Sequence, residues 1–178
     1  HACQYLGEYD KFVTISKSGM VLRAFQYLKK LNKKNVRVFV TESNPGRESL
    51  QLAKELIKSD VDVVIIPDTA VMHLLTEGCC VVSGCDVISP SHFRNKVGSY
   101  QLAVLSKFTG AKYYLLGDSF KYVDDIKSVP ETKEEYEEDD GIKILRRLFE
   151  DVPLNLVQGV ITEKGFFNPT EINSIVTG

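Results

Sequence analysis

The run Ser16-Lys17-Ser18-Gly19 is the part of this sequence best suited to holding an anion. Glycine permits close approach to the backbone, and the unpaired N–H groups of a helix starting there attract phosphate. The two hydroxyls and Lys17 add to that attraction. The run lacks the Gly-x-x-x-x-Gly-Lys-[Ser/Thr] spacing of a nucleoside triphosphate loop. The chain also has no Gly-x-Gly-x-x-Gly fingerprint for a dinucleotide. Other polar runs follow apolar stretches: Thr41-Glu42-Ser43-Asn44-Pro45-Gly46-Arg47, Asp68-Thr69, Gly84-Cys85-Asp86, Asp118-Ser119-Phe120-Lys121 and Thr162-Glu163-Lys164. Together they suit a ligand rim. The plainer alternative is that loops are polar anyway and helix N-caps favour Ser, Thr and Asp.

Metal chemistry is not expected. Cys3, Cys79, Cys80 and Cys85 fit no zinc spacing. Residues 79–85 lie in an apolar run, which predicts buried, reduced thiols and a reducing, cytoplasmic compartment. Of the histidines, His73 falls in a short helix and His92 in a loop, with no metal-ligand spacing around either. No cofactor is called for.

Apolar, β-rich runs alternate with helical patterns and must position these residues. Strand candidates are 12–15, 36–41, 61–66, 79–83, 112–116 and 158–161. Helix candidates are 19–31, 47–58, 70–76, 98–109, 142–149 and 169–175. The strands are nearly continuous hydrophobic runs, as strands covered on both faces require. The expected fold is therefore α/β: a doubly wound, mostly parallel, Rossmann-like sheet in a single domain over 1–178. Residues 1–11 read as a lead-in and 124–140 as a solvated acidic loop; a docking tail for a basic partner is the sharper alternative. In such sheets ligands bind at the carboxyl ends of the strands.

The totals exclude other classes. At 178 residues and 43% hydrophobic, the chain suits one globular domain. A net charge of −2 gives no basic excess for direct nucleic-acid binding. No membrane span or signal peptide is visible. The chain opens at His1 rather than Met, which suggests a trimmed chain or the body of a longer protein.

Several stretches together resemble one family: Val40-Thr41-Glu42-Ser43-Asn44-Pro45, Ile66-Pro67-Asp68-Thr69-Ala70-Val71, Gly84-Cys85-Asp86, Asn95-Lys96-Val97-Gly98-Ser99-Tyr100, Ser119-Phe120-Lys121 and Ile161-Thr162-Glu163-Lys164-Gly165. The chain resembles the α, β and δ subunits of translation initiation factor 2B, a family that also contains ribose-1,5-bisphosphate and 5-methylthioribose-1-phosphate isomerases. The resemblance runs from about Phe12 to the end. It implies a dimerising Rossmann-like domain, preceded in the family by a helical domain absent here. It also implies a site for a phosphorylated sugar or nucleoside monophosphate, and association with translation initiation factor 2.

The departures separate the family's branches. Where the isomerases carry Thr-His-Cys-Asn-x-Gly, this chain has Thr14-Ile15-Ser16-Lys17-Ser18-Gly19, so Ser16 stands at the catalytic cysteine position. A serine hydroxyl is far less acidic than a thiol and cannot shuttle a proton near neutral pH without a strong base beside it. The Asp of Gly-Ala-Asp is kept as Asp86, preceded by Cys85. Cys85 would be a substitute thiol in the wrong loop. The loop from Gly84 to Asn95 is one residue shorter than the family's usual spacing. The Arg of Glu-Ser-Arg-Pro is replaced by Asn44, and Arg47 could take over its role only by another approach. The expectation is a non-catalytic regulatory or assembly subunit, a homo- or hetero-oligomer. Its ligand residues are Ser16, Lys17, Ser18 and Gly19, then Glu42, Asp68, Asp86, Asn95, Lys96 and Lys121. The alternative is a sugar-phosphate aldose-ketose isomerase, with Asp86 as acid/base and Asn95 and Lys96 orienting the substrate.

Overall fold

The structure is a computed structural model that describes residues 1–32, 35–130 and 135–177. In chain order its elements are α1 (Ala2–Leu6), β1 (Lys11–Thr14), α2 (Gly19–Asn32), β2 (Arg37–Thr41), α3 (Ser49–Ile57), β3 (Asp62–Ile66) and α4 (Met72–Thr76). Then come β4 (Cys80–Gly84), β5 (Val87–Ile88), β6 (His92–Lys96), α5 (Ser99–Thr109), β7 (Tyr113–Leu116), β8 (Glu135–Asp139) and β9 (Ile142–Arg146). The chain continues with β10 (Phe149–Pro153), β11 (Gly159–Thr162), β12 (Gly165–Phe167) and α6 (Ser174–Thr177).

A seven-stranded sheet runs β12-β11-β7-β4-β1-β2-β3. All neighbours pair in parallel except β12, which lies antiparallel on the edge against β11. This is the Rossmann-like, doubly wound arrangement expected. Successive residues of each strand point to opposite faces, and both faces carry a buried layer except along the edge strand β3, where Val64 and Ile65 are exposed. Phe12, Val38, Val40, Cys80 and Val82 meet α1, α2 and α3 through Leu6, Phe25, Leu28, Leu52 and Leu56. Val13, Val81, Tyr113 and Leu115 meet α4 and α5 through Leu74, Leu75, Leu102 and Ala103, with Ile172 and Ile175 closing that layer. Val21, Phe25 and Leu28 recur at helical spacing, so α2 turns one stripe inward. Each such fully buried side chain contributes about 1.5–3 kcal/mol.

The structure departs from expectation in four places. The lead-in contains α1, whose Leu6 is buried in the core. His92 is not in a loop but opens β6, the centre of a three-stranded antiparallel sheet ordered β10-β6-β5. The expected helix over 142–149 is instead β9 and the start of β10. Part of the acidic stretch is β8, paired with β9 through Asp139↔Ile142; residues 131–134 of that stretch lie outside the described residues. Asp140 and Gly141 sit at φ 48 and φ 75, and a two-residue hairpin turn with positive φ at both positions favours this Asp-Gly pair. Among the described residues, no helix is long and apolar enough to cross a membrane.

Candidate functional site

The chain lays β2 and β3 on one side of β1, then places β4 on the other. At that reversal, beyond the carboxyl ends of β1 and β4, a cleft of about 620 Å³ opens, where open α/β sheets take ligands. Its floor is the turn from β1 into α2. Ser16 there adopts φ 60, and its backbone N–H donates to Ser43 Oγ at 2.6 Å. Ser18 Oγ accepts from Val21 N at 3.4 Å and so caps α2. Ser18 also packs on Gly84: a Cβ there would lie 2.6 Å from Ser18 Oγ, so the close approach of the two loops requires glycine.

The opposite wall comes from β6 and its continuation into α5. Asn95 donates through Nδ2 to Ser99 Oγ at 2.9 Å, and Ser99 Oγ donates to Lys96 O at 2.7 Å. Lys96 is buried, and its ammonium donates to Glu48 Oε1 at 3.1 Å. Glu150 of β10 fixes the start of α5 by accepting from the N–H groups of Gly98 and Tyr100, both at 2.8 Å. Lys121 donates through Nζ to Cys85 O at 2.5 Å.

Surrounding protein strips water from the inner side of Asp86 and raises its carboxyl above the ordinary range; Lys121 opposes that shift. A carboxyl raised by folding binds its proton more tightly folded than unfolded. The associated stability is complete below the unfolded value of 3.8 and is lost as pH rises through the folded value. Asp86→Asn removes this burden, so the variant should melt above the parent at pH 7. The gap should close as pH falls to about 4. Thermal melts across that range test this, and a gap independent of pH would contradict it.

Eight of the ten expected site residues line this cleft: Ser16, Lys17, Ser18, Gly19, Asp86, Asn95, Lys96 and Lys121. Lys17 leans outward and pairs with Glu55 at 3.0 Å. Glu42 and Asp68 do not line it. Glu42 accepts from Asn44 Nδ2 at 3.0 Å, and Asp68 accepts from Ser43 N and Asn44 N at 2.7 and 2.9 Å. Both brace the loop after β2. Arg47 does not line the cleft either. Arg23, one turn into α2, does, and has no carboxylate partner among the described residues. Sequence reasoning missed Arg23 and Glu48. The i, i+4 spacing of Gly19 and Arg23 was a usable signal for the first; none was available for the second. Cys85 lines the cleft, but burial pushes its thiol up to about 12, out of the range of an activated nucleophile. Among the described residues, no three His, Cys, Asp or Glu side chains gather in a way that could hold a metal ion.

This fold and cleft define a Rossmann-like α/β protein with a polar cleft at the sheet's reversal point. The family model described as "Initiation factor 2 subunit family" matches residues 1–169, and the chain belongs to that family. It is 30% identical over 168 residues to a putative translation initiation factor eIF-2B subunit 2-like protein of Pyrococcus horikoshii, covering 93% of this chain and 60% of that one. It is 29% identical over 147 residues to the ribose 1,5-bisphosphate isomerase of Methanocaldococcus jannaschii, covering 76% of this chain and 48% of that one. The crystal structure of the Pyrococcus horikoshii OT3 translation initiation factor eIF-2B superposes with a TM-score of 0.85 at 29% identity, over 94% of this chain and 62% of that one. The chain thus spans less than two thirds of the relatives it matches.

Proposed function

We propose that this chain is a translation initiation factor 2B-like regulatory or assembly module that binds a phosphorylated sugar or nucleoside monophosphate without turning it over. The observation that carries this reading is the cleft's inventory. The turn from β1 into α2, Arg23, Lys96 and Lys121 line one space, while its one cysteine is held protonated. Donors directed at an anion are present, and an activated thiol is not. The free, mostly buried cysteines fit a reducing, cytoplasmic setting. Assembly with a second copy or a related subunit is supported by the stripe Tyr100, Val104 and Phe108 on α5, which are 41%, 44% and 78% exposed. Native mass spectrometry tests the association, and co-purification with an initiation factor 2 subunit tests the partner.

Ribose 5-phosphate or AMP should raise the melting temperature, because a ligand that binds only the folded state stabilises it by about 2.7 kcal/mol at 100 times its dissociation constant. Lys96→Ala should shrink the rise relative to its own unliganded melt, and high salt should shrink it further. No response to either compound at millimolar concentration would overturn the ligand reading. The isomerase reading has one observation in its favour: Asp86, a carboxyl of raised pKa, stands in the cleft. Conversion of ribose 1,5-bisphosphate to its ketose, abolished by Asp86→Asn, would replace the binding role with an enzymatic one.

A further inference from the structure

Resting on the phosphosugar reading above, we propose that Glu48 sets the specificity of the cleft. Its carboxylate occupies the buried Lys96 ammonium, so the site takes a sugar bearing one phosphate and rejects one bearing a second anionic group on the β6 side. The argument begins with the pairing of charges. Each lysine that lines the cleft already faces a carboxylate: Lys17 meets Glu55 at 3.0 Å, Lys96 meets Glu48 at 3.1 Å, and Lys121 sits close enough to Asp86 to perturb it. Arg23 is the lining cation without a carboxylate partner among the described residues. One uncompensated guanidinium, beside the start of α2, suits one phosphate.

Lys96 and Glu48 are an unequal pair. The lysine side chain is 3% exposed and the glutamate 43%. The ammonium is fixed and desolvated, and the carboxylate reaches it from the mobile-solvent side. Glu48 gets there by folding over Gly46, where a Cβ would displace the flexible end of its side chain. Residue 47 between them adopts φ 57, in the left-handed region. On the β6 side a ligand therefore meets a carboxylate, a carboxamide from Asn95 and the remaining N–H donors of Lys96. Hydroxyl groups satisfy all three. A second phosphate there would lie against the Glu48 carboxylate, and like charges at that distance repel.

Calorimetric titration with ribose 5-phosphate and with ribose 1,5-bisphosphate, at one fixed ionic strength, tests this. The parent should bind the monophosphate at least about tenfold more tightly than the bisphosphate. Glu48→Gln keeps the side chain's size and frees Lys96. It should gain at least about tenfold for the bisphosphate, with a change of no more than about threefold for the monophosphate. Glu48→Ala should show the same gain by a change of different shape, and circular dichroism checks that both variants fold. A parent that prefers the bisphosphate, or variants that keep the parent's ratio while still binding, would overturn the role of Glu48 and leave the phosphosugar site standing. Binding of neither sugar to parent or variants would overturn the site itself.

Discussion

Arg94→Ala should destabilise the protein by about 3–5 kcal/mol, the cost of stranding one half of a buried ion pair. Arg94 is 5% exposed at the centre of β6. Its guanidinium donates through Nε to Asp151 Oδ1 at 2.6 Å and through Nη2 to Asp151 Oδ2 at 2.9 Å. Nη1 donates to the carbonyls of Val129 and Pro130, both at 3.0 Å. Arg94 and Asp151 stand directly opposite in the β6–β10 ladder, so the fork locks the register of that small sheet. Alanine would leave the Asp151 carboxylate and two carbonyls without these donors. In a chain of this size the loss corresponds to a fall in melting temperature of roughly 10 °C. Arg94→Lys should recover part of it, because an ammonium restores charge but not the bidentate fork. Urea denaturation of the three proteins measures the series. A loss below about 1 kcal/mol for Arg94→Ala would mean that the pair behaves as an exposed one.

Arg94 also marks where the sequence stopped being legible. The parallel strands announced themselves because their residues face apolar layers on both sides, and the continuous runs at 36–41 and 112–116 led directly to β2 and β7. β6 has the sequence His-Phe-Arg-Asn-Lys, yet its last four residues are buried. A strand whose buried positions are mostly Arg, Asn and Lys carries no hydrophobic period to detect; Asp151 and Glu48, distant in sequence, satisfy Arg94 and Lys96. Residues 142–149 failed for a different reason. Ile142 and Leu145 fit a helical spacing, but they are 65% and 49% exposed on a two-stranded hairpin. The Asp140-Gly141 pair was the stronger local signal there.

The site divides along the same line. Residues 16–19 and Asp86 were readable because the loops leaving β1 and β4 flank the reversal point and converge by topology. Glu48 was not, since its place in the cleft follows from the left-handed backbone at Arg47 and the open space over Gly46. Asp118 and Glu163 also followed strand ends: Asp118 lines the cleft while capping its own short turn, whereas Glu163 serves a neighbouring loop. Asp118 Oδ1 accepts from Phe120 N at 3.0 Å, and Glu163 accepts from both the hydroxyl and the backbone N–H of Ser119. The Ser119 contacts pull the Glu163 carboxyl below its ordinary range. A polar strand end thus has two fates, and only three-dimensional neighbours separate them.

Asp68 shows how a residue outside the cleft should still control it. Its two carboxylate oxygens accept from the consecutive N–H groups of Ser43 and Asn44, at 2.7 and 2.9 Å. That grip holds Ser43 at φ 58, a conformation an L-residue adopts only when its surroundings impose it. Ser43 in turn offers its hydroxyl oxygen to the backbone N–H of Ser16 at 2.6 Å, which fixes the turn into α2. The chain of support therefore runs from the end of β3 to the floor of the cleft, and the braced loop also carries Glu48. Asp68→Ala removes two charge-assisted hydrogen bonds, one of them exposed, and should cost about 2 kcal/mol. Its larger consequence is functional: with Ser43 free to leave the left-handed region, Ser16 loses its acceptor and the α2 turn loosens. The thermal response to ribose 5-phosphate should fall by at least half relative to the variant's own unliganded melt. Asp68→Asn keeps one acceptor oxygen and should fall between the parent and the alanine variant on both measures. An Asp68→Ala protein with a full ligand response would show that the cleft's floor stands without this brace.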